Sequence, residues 1–292
     1  MIRGQEEQVV SRFAPSPTGR LHLGHALSAI RAHDLASAAG GRFLLRIEDI
    51  DGTRSRAEHV ATILDDLAWL GLRHEPPVFQ SERLALYDTA LAELRTRGLV
   101  YPCFCTRAEI AASASAPHGP VAAYPGTCRP LAPAAAAARM GEAHCWRLDL
   151  ARALAQPGMA DEDLWWHDAA AGRVRADPAS QGDVVLARKD APASYHLAVT
   201  VDDAAQGVTD VVRGVDLFDA THVHRLLQAL LGLPTPRYHH HPLLTGADGQ
   251  RLAKRHGSPT LAAMRAAGVD GKSVADDLRN GRLPTGFSVA NA

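Results

Sequence analysis

The stretch Arg12-Phe13-Ala14-Pro15-Ser16-Pro17-Thr18-Gly19-Arg20-Leu21-His22-Leu23-Gly24-His25 decides how the rest of the chain is read. Pro15 and Pro17 hold φ near −65° and push the residue before each of them toward an extended path. Gly19 and Gly24 carry no Cβ, so the backbone can come close to a ligand there. From Ala26 onward, Leu27, Ile30, Ala32, Leu35 and Ala36 recur with a helical period. A loop therefore leads from a strand into a helix, with His22 and His25 at the junction. A helix N-terminus offers unpaired N–H groups and the positive end of its dipole, which suits a phosphate. Imidazole adds a tunable donor at the same place. An H-x-x-H spacing taken alone serves equally well as a cap on a core helix. The phosphate reading rests on the whole fourteen residues.

Working outward, Arg42-Phe43-Leu44-Leu45-Arg46-Ile47-Glu48 reads as a strand ending at the acidic turn Asp49–Gly52. Ile63, Leu64, Leu67 and Leu70 form a helical stripe that stops at Gly71, and Leu84, Leu86, Leu91 and Leu94 form another that stops at Gly98. This βαβ rhythm predicts a parallel sheet with crossover helices. Residues 106–145, rich in Ala, Ser, Pro and Gly, break it and read as an insertion, in which Ala134–Ala138 is a helix or a spacer. Strands return at 184–187 and 210–213, a helix at 218–231 and a strand at 238–244. A Gly-rich loop (246–257), two short helices and a frayed tail from Pro284 follow. The expected fold is α/β, a Rossmann-like doubly wound parallel sheet. Its catalytic halves are 9–102 and 146–260, its insertion is 103–145, and a short helical segment occupies 261–292.

Composition narrows the classes. The 292 residues, 46% hydrophobic and 22% charged, suit a soluble globular protein with a real core. No apolar run approaches membrane-spanning length, and the polar Met1–Val10 lacks a signal-peptide core, so a cytoplasmic monomer with no membrane partner is expected. A net charge of −1, from 31 basic and 32 acidic residues, argues against charge-driven coating of nucleic acid but allows a local basic face. Four Cys do not make a disulfide scaffold.

Further candidates come from chemistry. Lys254, in Arg251-Leu252-Ala253-Lys254-Arg255 after the Thr245–Gly249 turn, could close on nucleotide phosphates and neutralise developing charge. Recognition of an amino acid needs an anion for its ammonium and guanidinium groups for carboxylates. Arg12, Glu48 and Arg213 stand at strand ends, where open α/β sheets bind ligands, and Tyr195 lies in Ala193–Val199. Cys103-x-Cys105 with Cys128 suggests a zinc site whose fourth ligand could be Cys145 or His118. His239-His240-His241 is not read as a metal site, because consecutive strand residues point to opposite faces; a half-exposed strand is expected.

The fourteen-residue stretch resembles the signature of the class I glutamyl-tRNA synthetase family, with His22-Leu23-Gly24-His25 in place of its HIGH motif. Residues 251–255 resemble the family's KMSKS loop, with Arg251 at the first Lys, Ala253 at a Ser and Lys254 at the second Lys. The likeness runs over about 9–260. It implies ATP contacts at His22, Gly24, His25, Arg251 and Lys254, of which His22, His25 and Lys254 are catalytic. It implies glutamate contacts at Arg12, Ala14, Ser16, Glu48, Tyr195 and Arg213, with Arg12 on the side-chain carboxylate and Arg213 toward the α-carboxylate. Tyr124-Pro125-Gly126-Thr127-Cys128-Arg129 resembles the glutamyl-Q branch, which implies one Zn²⁺ on Cys103, Cys105, Tyr124 and Cys128, although the Cys105-to-Tyr124 spacing is longer than usual there. Cys145 then becomes a core thiol beside Trp146. Only 37 residues follow Arg255, too few for the family's anticodon-binding region. The resemblance thus implies that L-glutamate is activated by ATP with Mg²⁺, without tRNA, and passed to queuosine in the anticodon of tRNA(Asp). A truncated synthetase charging a tRNA 3′ end, or a non-catalytic zinc-containing RNA-binding paralogue, are the alternatives.

Overall fold

The computed structural model describes residues 8–106, 108–110, 124–159, 163–188, 191–246, 259–285 and 287–290. Its strands are β1 (Val10–Phe13), β2 (Arg42–Ile47), β3 (Val78–Phe79), β4 (Val100–Cys103), β5 (Cys145–Leu148), β6 (Trp165–Asp168), β7 (Gly172–Arg175), β8 (Val185–Arg188), β9 (Asp210–Gly214), β10 (Arg237–His241), β11 (Leu244–Thr245) and β12 (Ser288–Val289). The helices are α1 (Leu23–Ala38), α2 (Ala57–Trp69), α3 (Leu84–Thr96), α4 (Pro133–Ala138), α5 (Leu150–Leu154), α6 (Tyr195–Ala205), α7 (Ala220–Leu230), α8 (Leu261–Ala266) and α9 (Gly271–Arg279).

The main sheet runs β3-β2-β1-β9-β10-β6-β7, parallel throughout except for the β6–β7 hairpin. Period-2 alternation sends Phe43, Leu45 and Val212 into one apolar cluster with α1, α2, α8 and α9. Leu44 and Val211 go into a second, with α3, α6 and α7. The expected doubly wound α/β architecture follows. The chain builds outward from β1 through β2 to β3, then returns to the other side of β1 with β9. Strand order reverses between β1 and β9, and the carboxyl ends of strands at such a point open a crevice. Arg12 and Arg213 stand at those two ends.

Three features depart from the sequence reading. β8 was expected in the parallel sheet; it pairs instead with β5, and β5 with β4, in a separate three-stranded antiparallel sheet. Periodicity reports that a strand is buried but not which strand it pairs with. The strand expected over 238–244 is interrupted at Pro242, which has no N–H to give to the ladder. The tail does not fray at Pro284: β12 pairs antiparallel with β11, and Ala290 N–H donates to the Leu243 carbonyl at 2.8 Å. Among the described residues no helix is long and apolar enough to cross a membrane.

Candidate active site

The loop after β1 is pinned to the end of β2, where Glu48 N–H donates to the Pro15 carbonyl at 3.0 Å. It then enters α1 through a capping box built from imidazoles. Gly24 N–H donates to His22 Nδ1 at 3.1 Å, and His22 N–H donates to His25 Nδ1 at 3.2 Å. Both rings accept through Nδ1, so each carries its proton on Nε2. The two rings lie 3.9 Å apart between centroids. Capping and cleft-lining are thus one role here. A Cβ at Gly24 would come within 3.0 Å of the His22 ring, so glycine keeps the cap and the backbone approach open.

Around this junction lies a cleft of about 380 Å³. It brings together nine residues singled out from the sequence: Arg12, Ala14, Ser16, His22, Gly24, His25, Glu48, Tyr195 and Arg213. Beneath it sits a buried charge network. Arg12 Nε donates to Asp203 at 3.0 Å, and Arg46 Nη1 donates to Asp203 at 2.8 Å. Arg83, Gln80 and the Tyr87 hydroxyl donate to Asp202 at 2.6–2.8 Å. Arg46 has no exposed surface, and its remaining nitrogens lie 3.7 Å from Asp202 and from Glu48. Burial would raise the Asp203 carboxyl, but the Arg12 and Arg46 charges bring it below its ordinary value. Burial wins at Glu48, which is pushed up to about 7 against the pull of Arg46 and Arg12.

Arg213 has a different environment. It is 5% exposed, and among the described residues it pairs with no carboxylate. Its donors go to His240 Nε2 (3.1 Å), the Tyr195 hydroxyl (3.1 Å), His224 Nδ1 (3.3 Å) and Thr221 Oγ1 (2.6 Å), and its guanidinium carbon lies 5.2 Å from the Tyr238 ring centre. The histidine run is not a half-exposed strand: His240 and His241 are buried in β10, which has strands on both sides. Its three imidazoles diverge, His239 to Asp210, His240 to Asp168 and Arg213, and His241 to Ser28 on α1, so they do not converge on one ion.

Cys103, Cys105 and Cys128 place their sulfurs within 4.8 Å of one another, and the Tyr124 hydroxyl is 3.4 Å from Cys105 Sγ. Thiolates about 2.3 Å from a tetrahedral zinc stand roughly 3.8 Å apart, close to the 3.5 Å between Cys105 and Cys128. The donor set therefore fits zinc. Cys145 is not drawn into the core beside Trp146; it is partly buried, opposite Cys103 in the β4–β5 ladder and against the cysteine cluster, though outside the three-sulfur group.

A second, larger cleft of about 930 Å³ opens between the main sheet and the β4-β5-β8 sheet. It shares Ser16, Glu48 and Tyr195 with the first and is lined by Arg54, Phe104, His144 and Arg188. Arg251, Lys254 and His118 lie outside the described residues. Of the described residues, Leu244 lines the first cleft and Thr260 bridges to His22.

Sequence reading missed Arg46, Asp168, Asp202, Asp203 and His224. A signal existed for two of them. Asp202 and Asp203 lie in the last turn of α6, where the helix dipole disfavours anions, so their placement there calls for cationic partners elsewhere in the fold.

The family described as tRNA synthetases class I (E and Q), catalytic domain, matches residues 8–280. The glutamyl-Q tRNA(Asp) synthetase of Rhodobacter capsulatus is 51% identical over 89% of this chain and 96% of that protein. The enzyme of the same name from Symbiobacterium thermophilum is 47% identical over 91% of this chain and 84% of that protein. The crystal structure of glutamate-tRNA synthetase from Elizabethkingia anophelis superposes with a TM-score of 0.74 at 26% identity, over 87% of this chain. The chain spans 55% of that longer structure. A glutamate tRNA ligase from Elizabethkingia meningosepticum, solved in complex with its amino acid, gives a TM-score of 0.73 at 26% identity. With the residues of its first motif gathered at one crevice and these relatives matching most of its length, the chain belongs to the class I tRNA synthetase (E and Q) family, among the relatives named glutamyl-Q tRNA(Asp) synthetase.

Proposed function

We infer that this chain activates L-glutamate with ATP, without tRNA, and transfers the glutamyl group to queuosine in the anticodon of tRNA(Asp). The observation that carries the activation step is the convergence of a carboxylate, two buried guanidiniums and an imidazole-capped helix N-terminus on one 380 Å³ cleft. Four guanidiniums (Arg12, Arg46, Arg83, Arg213) and four carboxylates (Glu48, Asp202, Asp203, Asp216) form this cleft and the charge network beneath it. In the proposed reaction the glutamate α-carboxylate attacks the α-phosphorus of ATP, giving glutamyl-adenylate and pyrophosphate. Glu48 holds the ammonium, and Arg12 and Arg213 face the two carboxylates. His22 and His25 present Nε2–H donors to the phosphates, and Lys254 closes over them. A queuosine hydroxyl then attacks the activated acyl carbon and releases AMP. The larger cleft, open to Ser16, Glu48 and Tyr195, supports entry of a nucleoside from the zinc-module side. Cys103, Cys105, Tyr124 and Cys128 would hold one Zn²⁺ there, with a structural role in joining β4 to the segment before β5.

The test has two stages. Glutamate-dependent ATP–pyrophosphate exchange should occur without tRNA, and glutamine, which lacks the side-chain carboxylate assigned to Arg12, should be rejected. Labelled glutamate should then attach to tRNA(Asp) only when queuosine is present, with the label in the anticodon loop. Label at the 3′ end would establish the truncated-synthetase reading instead. Absence of exchange would establish the non-catalytic one.

A further inference from the structure

We propose that Asp168 and His240 are positioning residues that hold Arg213 as a buried cation with only neutral partners, so that a substrate carboxylate supplies its missing counter-charge. The proposal rests on the reading that Arg213 meets glutamate.

The argument begins with the tautomer. A guanidinium only donates, so His240 Nε2, 3.1 Å from Arg213 Nε, must be an acceptor and carry no proton. The ring proton is then on Nδ1, 2.8 Å from Asp168 Oδ2. Asp168 is itself fixed: Oδ1 accepts from the N–H groups of Ala170 and Ala171 at 2.9 Å each, and Oδ2 also accepts from His240 N–H. The parallel ladder sets the spacing, since Arg213 faces His240 across β9–β10 and Tyr238 faces Asp168 across β10–β6. A second imidazole follows the same logic. His224 Nδ1 accepts from Arg213 Nη1, so its proton lies on Nε2, which donates to His196 Nδ1 at 3.2 Å. Burial, aided by the Arg213 charge, pushes His240 and His196 down to about 4 and His224 well below its ordinary value, so all three rings stay neutral.

The contrast with Arg12 shows what this arrangement does. Arg12 spends its donors on Asp203 and the Val212 carbonyl, and its charge is matched inside the protein. Arg213 has four acceptors to the three of Arg12, but they are imidazoles and hydroxyls. Asp168 polarises His240 from one ring away, strengthening the acceptor without placing an anion against the guanidinium. A carboxylate at position 240 would hold Arg213 as firmly and cancel its attraction for the ligand.

The test uses His240→Phe, His240→Gln and Asp168→Asn in the full chain, with ATP–pyrophosphate exchange measured against both substrates. His240→Phe removes the acceptor and leaves a buried charged donor unpaired, so the KM for glutamate should rise roughly ten- to hundred-fold with the KM for ATP unchanged. His240→Gln, whose carbonyl can accept from Arg213 Nε, should recover to within roughly threefold of wild type, and Asp168→Asn should fall between the two. In the ligand-free wild-type protein, ¹⁵N NMR should show His240 neutral and protonated on Nδ1. A KM for glutamate unmoved in His240→Phe, an equal rise in both KM values, or a His240 protonated on Nε2 would each overturn the proposal. A wild-type enzyme without exchange would overturn the functional reading instead; the NMR tautomer would still decide the geometry around Arg213.

Discussion

Glu48 links the electrostatics of the cleft to a measurable pH profile. Burial pushes its carboxyl up to about 7, the nearby Arg46 and Arg12 offsetting only part of that cost. If the carboxylate binds the substrate ammonium, only its ionised form is competent. With a midpoint near 7, roughly one molecule in ten is ionised at about pH 6 and nine in ten at about pH 8. The kcat/KM for glutamate in ATP–pyrophosphate exchange should therefore rise roughly tenfold over that interval, because kcat/KM reports the free enzyme. Glu48→Gln should lower it by roughly 10²-fold at pH 8, the scale of losing a charge-assisted contact, and remove the inflection. Stability should move the opposite way. A carboxyl raised in the folded state contributes stability below its ordinary titration range and loses that contribution as pH rises toward 7. Glu48→Gln should therefore be more stable than wild type at pH 8, by up to about 3 kcal/mol for a shift of this size. The assays are initial-rate exchange across the pH range and urea unfolding of both proteins. A flat wild-type profile, an inflection retained in Glu48→Gln, or a variant less stable at pH 8 would refute the reasoning.

Other expectations follow from the same geometry. Asp203→Ala leaves Arg12 and Arg46 buried without their shared partner and should cost about 3–5 kcal/mol in urea unfolding, whereas Glu75→Ala, which breaks the exposed pair with Arg42, should cost about 1 kcal/mol or less. Lys254→Ala should slow exchange by roughly 10²-fold or more; a near-wild-type rate would remove Lys254 from the proposed mechanism. Elemental analysis should find one Zn²⁺ per chain. Cys103→Ser and Cys128→Ser should lower that content and the melting temperature, Tyr124→Phe should speed loss to a chelator, and Cys145→Ser should retain the metal. Zinc lost in Cys145→Ser but kept in Tyr124→Phe would reassign the fourth position.

The parts of this protein legible in its sequence are those encoded by near neighbours. The helical stripe from Ala26 to Ala36 emerged as α1, and the Arg42–Glu48 run as β2 with one residue trimmed, because each pattern records a single element's exposure to core and solvent. Six of the cleft residues, Arg12, Ala14, Ser16, His22, Gly24 and His25, were legible because one long motif holds them in fourteen residues. The β8 pairing, the tail strand and the depth of the histidine run were not, because each depends on which element comes to lie alongside.

Local sequence was therefore sufficient for most elements, the strand-to-helix junction at His22 and His25, and the cysteine set. Tertiary structure alone decided the charge state of the cleft. Arg12 and Arg213 look alike in sequence, each at the end of a hydrophobic strand. One meets Asp203, 191 residues away, and is neutralised; the other meets His240, Tyr195, His224 and Thr221 and is not. The energy of a buried charge is set by which groups surround it within a few ångströms, whatever their separation along the chain.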